Sequence, residues 1–351
     1  MDRYYDWPRT LSYNAPITIV TGARSIGKTF GFRSVMVKDA LAGKGPFAEV
    51  CRYANEIESV MDGYFDKLQA EGFFRDYEFK CFKNRAFARQ LGGEVNDADW
   101  DLVGYFVALT QAQSLKKKTF IRPKNILLDE AFLDYRDQFH RYIPREYESF
   151  ANLVSTLVRE SPEDPALDTR VVLLGNSVGF VNPYFEHLGI DRVPRYGFQW
   201  FKGKSVLLHY VEETAERVDE KMSGTLTGLM LSGTDEAASV FANEFAQGNT
   251  EYIEAKPKAA RFHYGIVYQG KSYGVWLHDM VMYVTSKIPK GDNRQVWAVT
   301  YEDNRIDYDA CRKSTPSIKA LVEWYYKGRV RYESAGVRER FAELLRVYGI
   351  R

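Results

Sequence analysis

The chain is poor in the residues that build metal centres and covalent cross-links. It has only three cysteines, Cys51, Cys81 and Cys311, and they lie far apart. That excludes a zinc module and a disulfide framework, and it fits a reducing compartment such as the cytoplasm. The five histidines show no metal-ligand spacing either. Apolar runs stay far below the ~20 residues of a membrane helix, so no transmembrane span is expected. The opening Met1-Asp2-Arg3-Tyr4-Tyr5-Asp6 lacks the basic and then apolar pattern of a signal peptide. Net charge is also small, +1 in 351 residues, so the whole chain is not a polycation suited to anions by charge alone.

What is present is more specific. Residues 22–29 read Gly22-Ala23-Arg24-Ser25-Ile26-Gly27-Lys28-Thr29, a complete G-x-x-x-x-G-K-T phosphate loop. The apolar run Ile17 to Val20 precedes it and a helical pattern follows it, the context that the motif requires. Gly22 and Gly27 let the backbone turn so that its N–H groups converge on phosphates. The helix N-terminus adds partial positive charge. Lys28 can reach the β- and γ-phosphates of ATP, and the Thr29 hydroxyl can ligate Mg²⁺.

A second element follows about a hundred residues later. Ile126-Leu127-Leu128-Asp129-Glu130 is an apolar strand ending in two carboxylates, the Walker B pattern. Asp129 can hold the Mg²⁺ shell through water. Glu130 can orient and deprotonate an attacking water. Asn176, at the end of Arg170-Val-Val-Leu-Leu-Gly-Asn, reads either as a sensor of the γ-phosphate or as a turn residue. Arg159, in Thr156-Leu-Val-Arg-Glu, reads either as a finger supplied to a neighbouring subunit or as a helix-terminal arginine. Periodicity does not choose between those two.

Alternating strand and helix patterns run to about residue 208 and argue an α/β fold with an open, mostly parallel sheet. The expected elements include strands Ile17 to Thr21, Phe47 to Tyr53, Asn125 to Leu128 and Arg170 to Leu174, with helices over 28–41 and up to Glu160. Residues 211–250 carry a charge of −6 and read as a partly helical acidic connector. From Phe262 short β runs separated by turn pairs predict a hairpin meander, followed by helices near 318–326 and 337–348. This gives a motor domain over 1–208, a linker over 209–255 and a C-terminal α+β domain over 256–351. Residues 251–351 sum to +6, a surface for an anionic partner or simply a solvated face.

In order along the chain, Leu11-Ser-Tyr, the phosphate loop, Asp129-Glu130, Tyr142-Ile-Pro, Thr156-Leu-Val-Arg, Gly175-Asn176-Ser-Val, Val181-Asn-Pro-Tyr-Phe, Ile266-Val-Tyr and Gly274-Val-Trp resemble the genome-packaging ATPases of φ29-type short-tailed phages. The resemblance implies an ASCE-type, FtsK–HerA-like P-loop ATPase domain. It implies a homomeric ring, a pentamer, at the portal of an empty procapsid, pumping double-stranded DNA inward in the host cytoplasm and absent from the mature virion. Carried over by position, Lys28 and Thr29 serve phosphates and Mg²⁺, Asp129 the metal, Glu130 the water, and Arg159 acts in trans. Arg24 matches the additional loop arginine of viral packaging ATPases. The C-terminal domain is implied to be a degenerate RNase H-like nuclease that docks on a structural packaging RNA and the portal.

Such a nuclease needs several carboxylates to hold two metals. The strand Tyr264-Gly-Ile-Val-Tyr supplies none, Asp279 falls in a turn, and Glu302, Asp303, Asp307 and Asp309 read as a solvated acidic loop. No nuclease activity is expected. Two loops are candidates for DNA phosphates: Lys116, Lys117 and Lys118 with Lys124, and Arg136 with His140 and Arg141. Both also read as solvated loops. A helicase-like ATPase and a non-motor NTP-binding assembly switch are the competing functions. The C-terminal domain argues against the first and Glu130 against the second.

Overall fold

The computed structural model describes residues 5–22, 26–92, 100–133, 142–176, 182–190, 194–212, 220, 223–231, 252–291 and 294–348. The chain divides into two compact units, residues 1–246 and 247–351. The division falls inside the acidic segment that the sequence sets apart.

The first unit opens with helix α1 (Trp7–Leu11) and strand β1 (Ile17–Thr21), then α2 (Lys28–Leu41) and β2 (Phe47–Cys51). Helices α3 (Glu56–Met61) and α4 (Tyr64–Ala70) lead to β3 (Tyr77–Phe82), β4 (Arg85–Gln90) and β5 (Asp101–Ala108). After α5 (Ala112–Leu115) come β6 (Asn125–Leu128), α6 (Glu146–Val158), β7 (Arg170–Gly175), α7 (Pro183–His187), β8 (Gly197–Phe201) and β9 (Val206–Tyr210). A short helix, α8 (Leu226–Leu231), follows.

These strands form a nine-stranded sheet in the order β3-β4-β5-β2-β6-β7-β1-β9-β8. From β5 to β9 every neighbouring pair is parallel. Strands β2 and β6 are buried at every position, as expected of parallel strands covered on both faces. Side chains alternate between two cores. Leu127, Val172 and Leu174 pack with Phe32, Met36 and Val37 of α2 on one face. Ile126, Leu128 and Leu173 pack with Leu153 and Leu157 of α6 on the other.

The edges depart from the simple alternation read from the sequence. Residues 77–108 add the antiparallel hairpin β3–β4, with β4 also antiparallel to β5. On β3 exposed and half-buried positions alternate, so its aromatic side chains share the strand with Glu78 and Lys80 and give no apolar run. Strand β8 closes the other edge antiparallel to β9. The expected strand Phe47 to Tyr53 ends at Cys51, where Arg52 turns away.

The second unit holds β10 (Arg261–Tyr268), β11 (Lys271–His278), β12 (Val281–Thr285), β13 (Val296–Ala298), β14 (Asp309–Ala310) and β15 (Val330–Tyr332), with α9 (Pro316–Tyr326) and α10 (Ala335–Val347). The meander β10–β11–β12 is antiparallel, as expected. Parallel additions extend it to six strands in the order β14-β13-β10-β11-β12-β15. Tyr264, Ile266, Tyr273 and Val275 of the sheet bury against Ile318 and Leu321 of α9 and Phe341 and Leu344 of α10. Ser334 caps α10 by accepting the Val337 N–H. Among the described residues no helix is long and apolar enough to cross a membrane.

Candidate active site

The phosphate loop leaves the tip of β1 and enters α2. Gly27 has φ +74°, a left-handed conformation that costs glycine little. A side chain at Gly22 would put its Cβ 2.8 Å from the Cβ of Val211, so the loop start has no room for one. Lys28 is buried, and its Nζ donates to the Gly22 carbonyl at 2.8 Å, holding the ammonium within the loop. Thr29 occupies the first turn of α2.

The N-terminal segment buttresses this loop. The Tyr5 N–H donates to the Ile26 carbonyl and the Trp7 indole N–H to the Lys28 carbonyl, each at 2.9 Å. Trp7 is buried against Phe32. Burial lowers the His209 imidazole to about 4, so the ring is neutral at ordinary pH. The Tyr5 hydroxyl lies 2.5 Å from His209 Nδ1, where a neutral ring can accept a hydrogen bond from it.

The sheet order gathers the remaining groups. Strand β7 stands between β1 and β6, which places Asn176 between the phosphate loop and Asp129-Glu130. All of these lie at the C-terminal ends of parallel strands, where open α/β sheets bind ligands. Glu130 is exposed and has φ +50°. Non-glycine residues held in this region concentrate at functional sites. Its N–H donates to Asp129 Oδ1 at 3.0 Å. The next residue, Ala131, donates its N–H to the Leu174 carbonyl at 2.8 Å. The carboxylate pair is therefore positioned through backbone bonds.

A buried ion pair, which the motifs do not reveal, holds the same turn from below. Arg52 follows β2, and its Nη2 donates to the Glu130 and Ala131 carbonyls, both at 3.3 Å. Its Nε and Nη2 also bond the Glu146 carboxylate at 3.0–3.1 Å. Glu146 accepts further bonds from the Tyr184 hydroxyl at 2.7 Å and the Ile143 N–H at 2.9 Å. Burial pushes the Tyr184 hydroxyl up well above its usual range, so it remains a donor. Removing one member of such a pair leaves the other charge buried and uncompensated. Glu146→Ala is expected to lower stability by about 3–5 kcal/mol, read as a lower denaturant midpoint. A midpoint within error of wild type would show that Arg52 re-pairs without cost.

Glu146 begins α6, and Arg159 ends it in a left-handed cap with φ +47°. Arg159 is exposed, and its Nη2 donates to the Lys118 carbonyl at 2.8 Å. Lys116, Asn152, Ser155, Thr156 and Arg159 line one cavity of about 180 Å³. The structure thus brings together Lys116, read from sequence as a DNA contact, and Arg159, read as a finger. Lys117 and Lys118 are exposed beside them. Lys124 is separate. It precedes β6, at the strand end opposite Asp129, and its Nζ donates to the Asp168 carbonyl at 2.6 Å. Ala23, Arg24, Ser25, Arg136, His140 and Arg141 lie outside the described residues.

In the second unit Asp303 is buried, and its carboxylate accepts from the Gln269 and Gly270 N–H groups and the Thr300 hydroxyl. It ties the β10–β11 turn to the following loop. Glu302, Asp307 and Asp309 are exposed. Asp279 sits at the β11–β12 turn with φ +44°. Among the described residues no three His, Cys, Asp or Glu side chains gather as a metal site.

The chain has known relatives in sequence and in fold. The profile of the Podovirus DNA encapsidation protein (Gp16) family matches residues 1–350. The DNA packaging protein of Bacillus phage B103 is 28% identical over 332 residues, covering 93% of this chain and 96% of that protein. That of Bacillus phage phi29 is 27% identical over 348 residues, covering 98% and 97%. A chain of the bacteriophage Phi-29 viral genome packaging motor assembly shares the fold, with TM-score 0.72 and 24% identity over 99% of each chain. The N-terminal domain of the phi29 DNA packaging ATPase matches at TM-score 0.50 and 25% identity, covering 61% of this chain and 98% of that one.

Proposed function

Because this chain belongs to the Podovirus DNA encapsidation protein (Gp16) family, we propose that it is the ATP-hydrolysing motor subunit that drives double-stranded viral DNA into a preformed procapsid. The observation that carries this reading is that the phosphate loop and Asp129-Glu130 leave the same end of the sheet, from strands with only β7 between them.

In this reading the loop N–H groups and Lys28 bind the phosphates of ATP. Thr29 and Asp129 offer the hard oxygen donors that suit Mg²⁺, which when bound neutralises charge on the phosphates. The Glu130 carboxylate projects from an exposed tip and takes the proton of the attacking water. Asn176 stands where it can contact the γ-phosphate or that water. Subunits form a ring, five by family resemblance, and Arg159 serves the site of the neighbour. Lys116 shares the Arg159 cavity and so joins that group. Lys117 and Lys118, with Arg24, Arg136 and Arg141, remain candidates for the neighbouring subunit or for DNA phosphates. The motor works at the portal vertex of the procapsid.

The reading is tested by adding duplex DNA to the purified protein with ATP and Mg²⁺. A motor hydrolyses ATP faster with duplex than with single strands or no nucleic acid. Hydrolysis indifferent to duplex DNA would instead favour the non-motor switch.

The second unit is a vestigial nuclease that docks on packaging RNA and the portal. Asp303 is committed to backbone donors, which supports binding over cutting. Lys287, Lys290, Arg312, Lys313 and Lys319 are exposed and carry the charge available for phosphates. Arg338 lies over the Tyr252 ring, and Arg340 is half-buried. RNA affinity of the full chain should fall log-linearly with salt, by about 0.7–0.9 log units per decade for each neutralised phosphate. Filter binding across a salt series checks this. DNA should stay intact in Mn²⁺, and metal-dependent cutting by highly purified protein would remove the vestigial assignment.

A further inference from the structure

A second buried ion pair lies beneath the proposed metal side of the site, and the mechanism above does not use it. Thr29 and Arg33 are four residues apart on α2 and so share a helix face. Arg33 Nε donates to Glu49 Oε2 at 3.1 Å, and its Nη2 donates to Oε1. The Glu49 side chain is 2% exposed and that of Arg33 20%. The guanidinium carbon also lies 4.7 Å from the Tyr64 ring centroid.

Strand register puts Asp129 near this pair. Glu49 on β2 stands opposite Leu127 on β6, and Leu127 packs in the core cluster that contains α2. Asp129 is the first residue past β6 and follows Leu127 by two, the spacing at which an extended chain returns to the same face, the face on which Arg33 meets Glu49. Burial acts most strongly on both groups and their mutual pairing opposes it; the Asp129 charge, a lesser influence, favours the charged form of Arg33 and opposes charge on Glu49. The register thus assigns the Arg33 cation and the proposed metal carboxylate to one side of the sheet, with Glu49 engaging the cation.

We propose that Glu49 is a positioning residue: its bidentate grip holds Arg33 away from Asp129 and keeps that carboxylate open for Mg²⁺. Glu49 occupies Nε and Nη2, the fork edge that a carboxylate prefers. Without that partner, Arg33 has Asp129 within its field and pairs with it, competing with the metal. The inference rests on the reading of Asp129 as the metal carboxylate.

Electron paramagnetic titration of Mn²⁺ into the full chain, saturated with a non-hydrolysable ATP analogue, tests it without turnover. Glu49→Gln should raise the Mn²⁺ dissociation constant roughly tenfold, the scale of one nearby charge in a partly screened site. Metal-free affinity for the analogue should stay within about twofold of wild type, since the phosphate loop is untouched. Arg33→Met combined with Glu49→Gln should restore Mn²⁺ binding to the wild-type value, because no cation remains to capture Asp129. This double variant buries no charge and keeps the test open if the single variant does not fold. Wild-type Mn²⁺ affinity in Glu49→Gln would overturn the proposal, as would a tenfold loss in the double variant. If the wild-type protein itself bound no Mn²⁺ with the analogue, the metal-site reading would fall as well.

Discussion

Rings in which every subunit carries Arg159→Ala should hydrolyse ATP about 10³–10⁵-fold more slowly than wild type, the range over which an arginine finger acts. Each subunit would keep its own phosphate loop, Asp129 and Glu130. The exposed position of Arg159 at the end of α6, and its cavity shared with Lys116, suit a role toward another chain. A mixing experiment separates this from damage in cis. Arg159→Ala subunits mixed with Glu130→Gln subunits create some sites with both an intact base and an intact finger. Partial recovery of phosphate release in mixed rings is the expected result. No recovery at any ratio, with mixed rings shown to form, would place Arg159 in cis or outside the chemistry.

Glu130→Gln should slow hydrolysis by about 10²–10⁴-fold, the usual contribution of a positioned general base, and leave ATP binding intact. The structure gives the reason for the second half. The Glu130 turn is held by its own N–H on Asp129 and by Arg52 on its carbonyl, and among the described residues its side chain takes no part in holding it. An amide therefore changes the base and keeps the turn. Lys28→Ala differs, because it removes a cation from the phosphates and the bond that Nζ makes to the Gly22 carbonyl. It should lose nucleotide affinity along with turnover. Fluorescent nucleotide titration beside phosphate release distinguishes the two, and near wild-type turnover by Glu130→Gln would remove it as the base.

The phosphate loop and Asp129-Glu130 were legible because each is one short chain segment whose chemistry dictates its residues. The β10–β12 meander was legible through its alternation and turn pairs. Other features depend on contacts between distant segments. Glu49 interrupts an apolar strand and reads as a flaw in it, yet it is paired with Arg33 from another element. Arg52 and Glu146 meet across β2 and α6, and neither carries a local signature of burial. Lys124 stands close to Lys116, Lys117 and Lys118 in sequence, but it leads into β6 and bonds the Asp168 carbonyl, outside the cavity that Lys116 lines. Conversely, Lys116 and Arg159 share no sequence pattern and come together only because α6 ends beside the turn after α5.

Whether ATP hydrolysis by this chain moves DNA into a capsid is measured most directly by nuclease protection. Portal-bearing procapsids, packaging RNA, genomic DNA, ATP and the purified chain are combined and then treated with DNase. Genome-length protected DNA is expected with wild-type protein, and none with Lys28→Ala, Glu130→Gln or a non-hydrolysable ATP analogue. Vigorous DNA-stimulated hydrolysis with no protected DNA, under conditions where the chain is shown to be seated on the portal, would contradict the proposed packaging role.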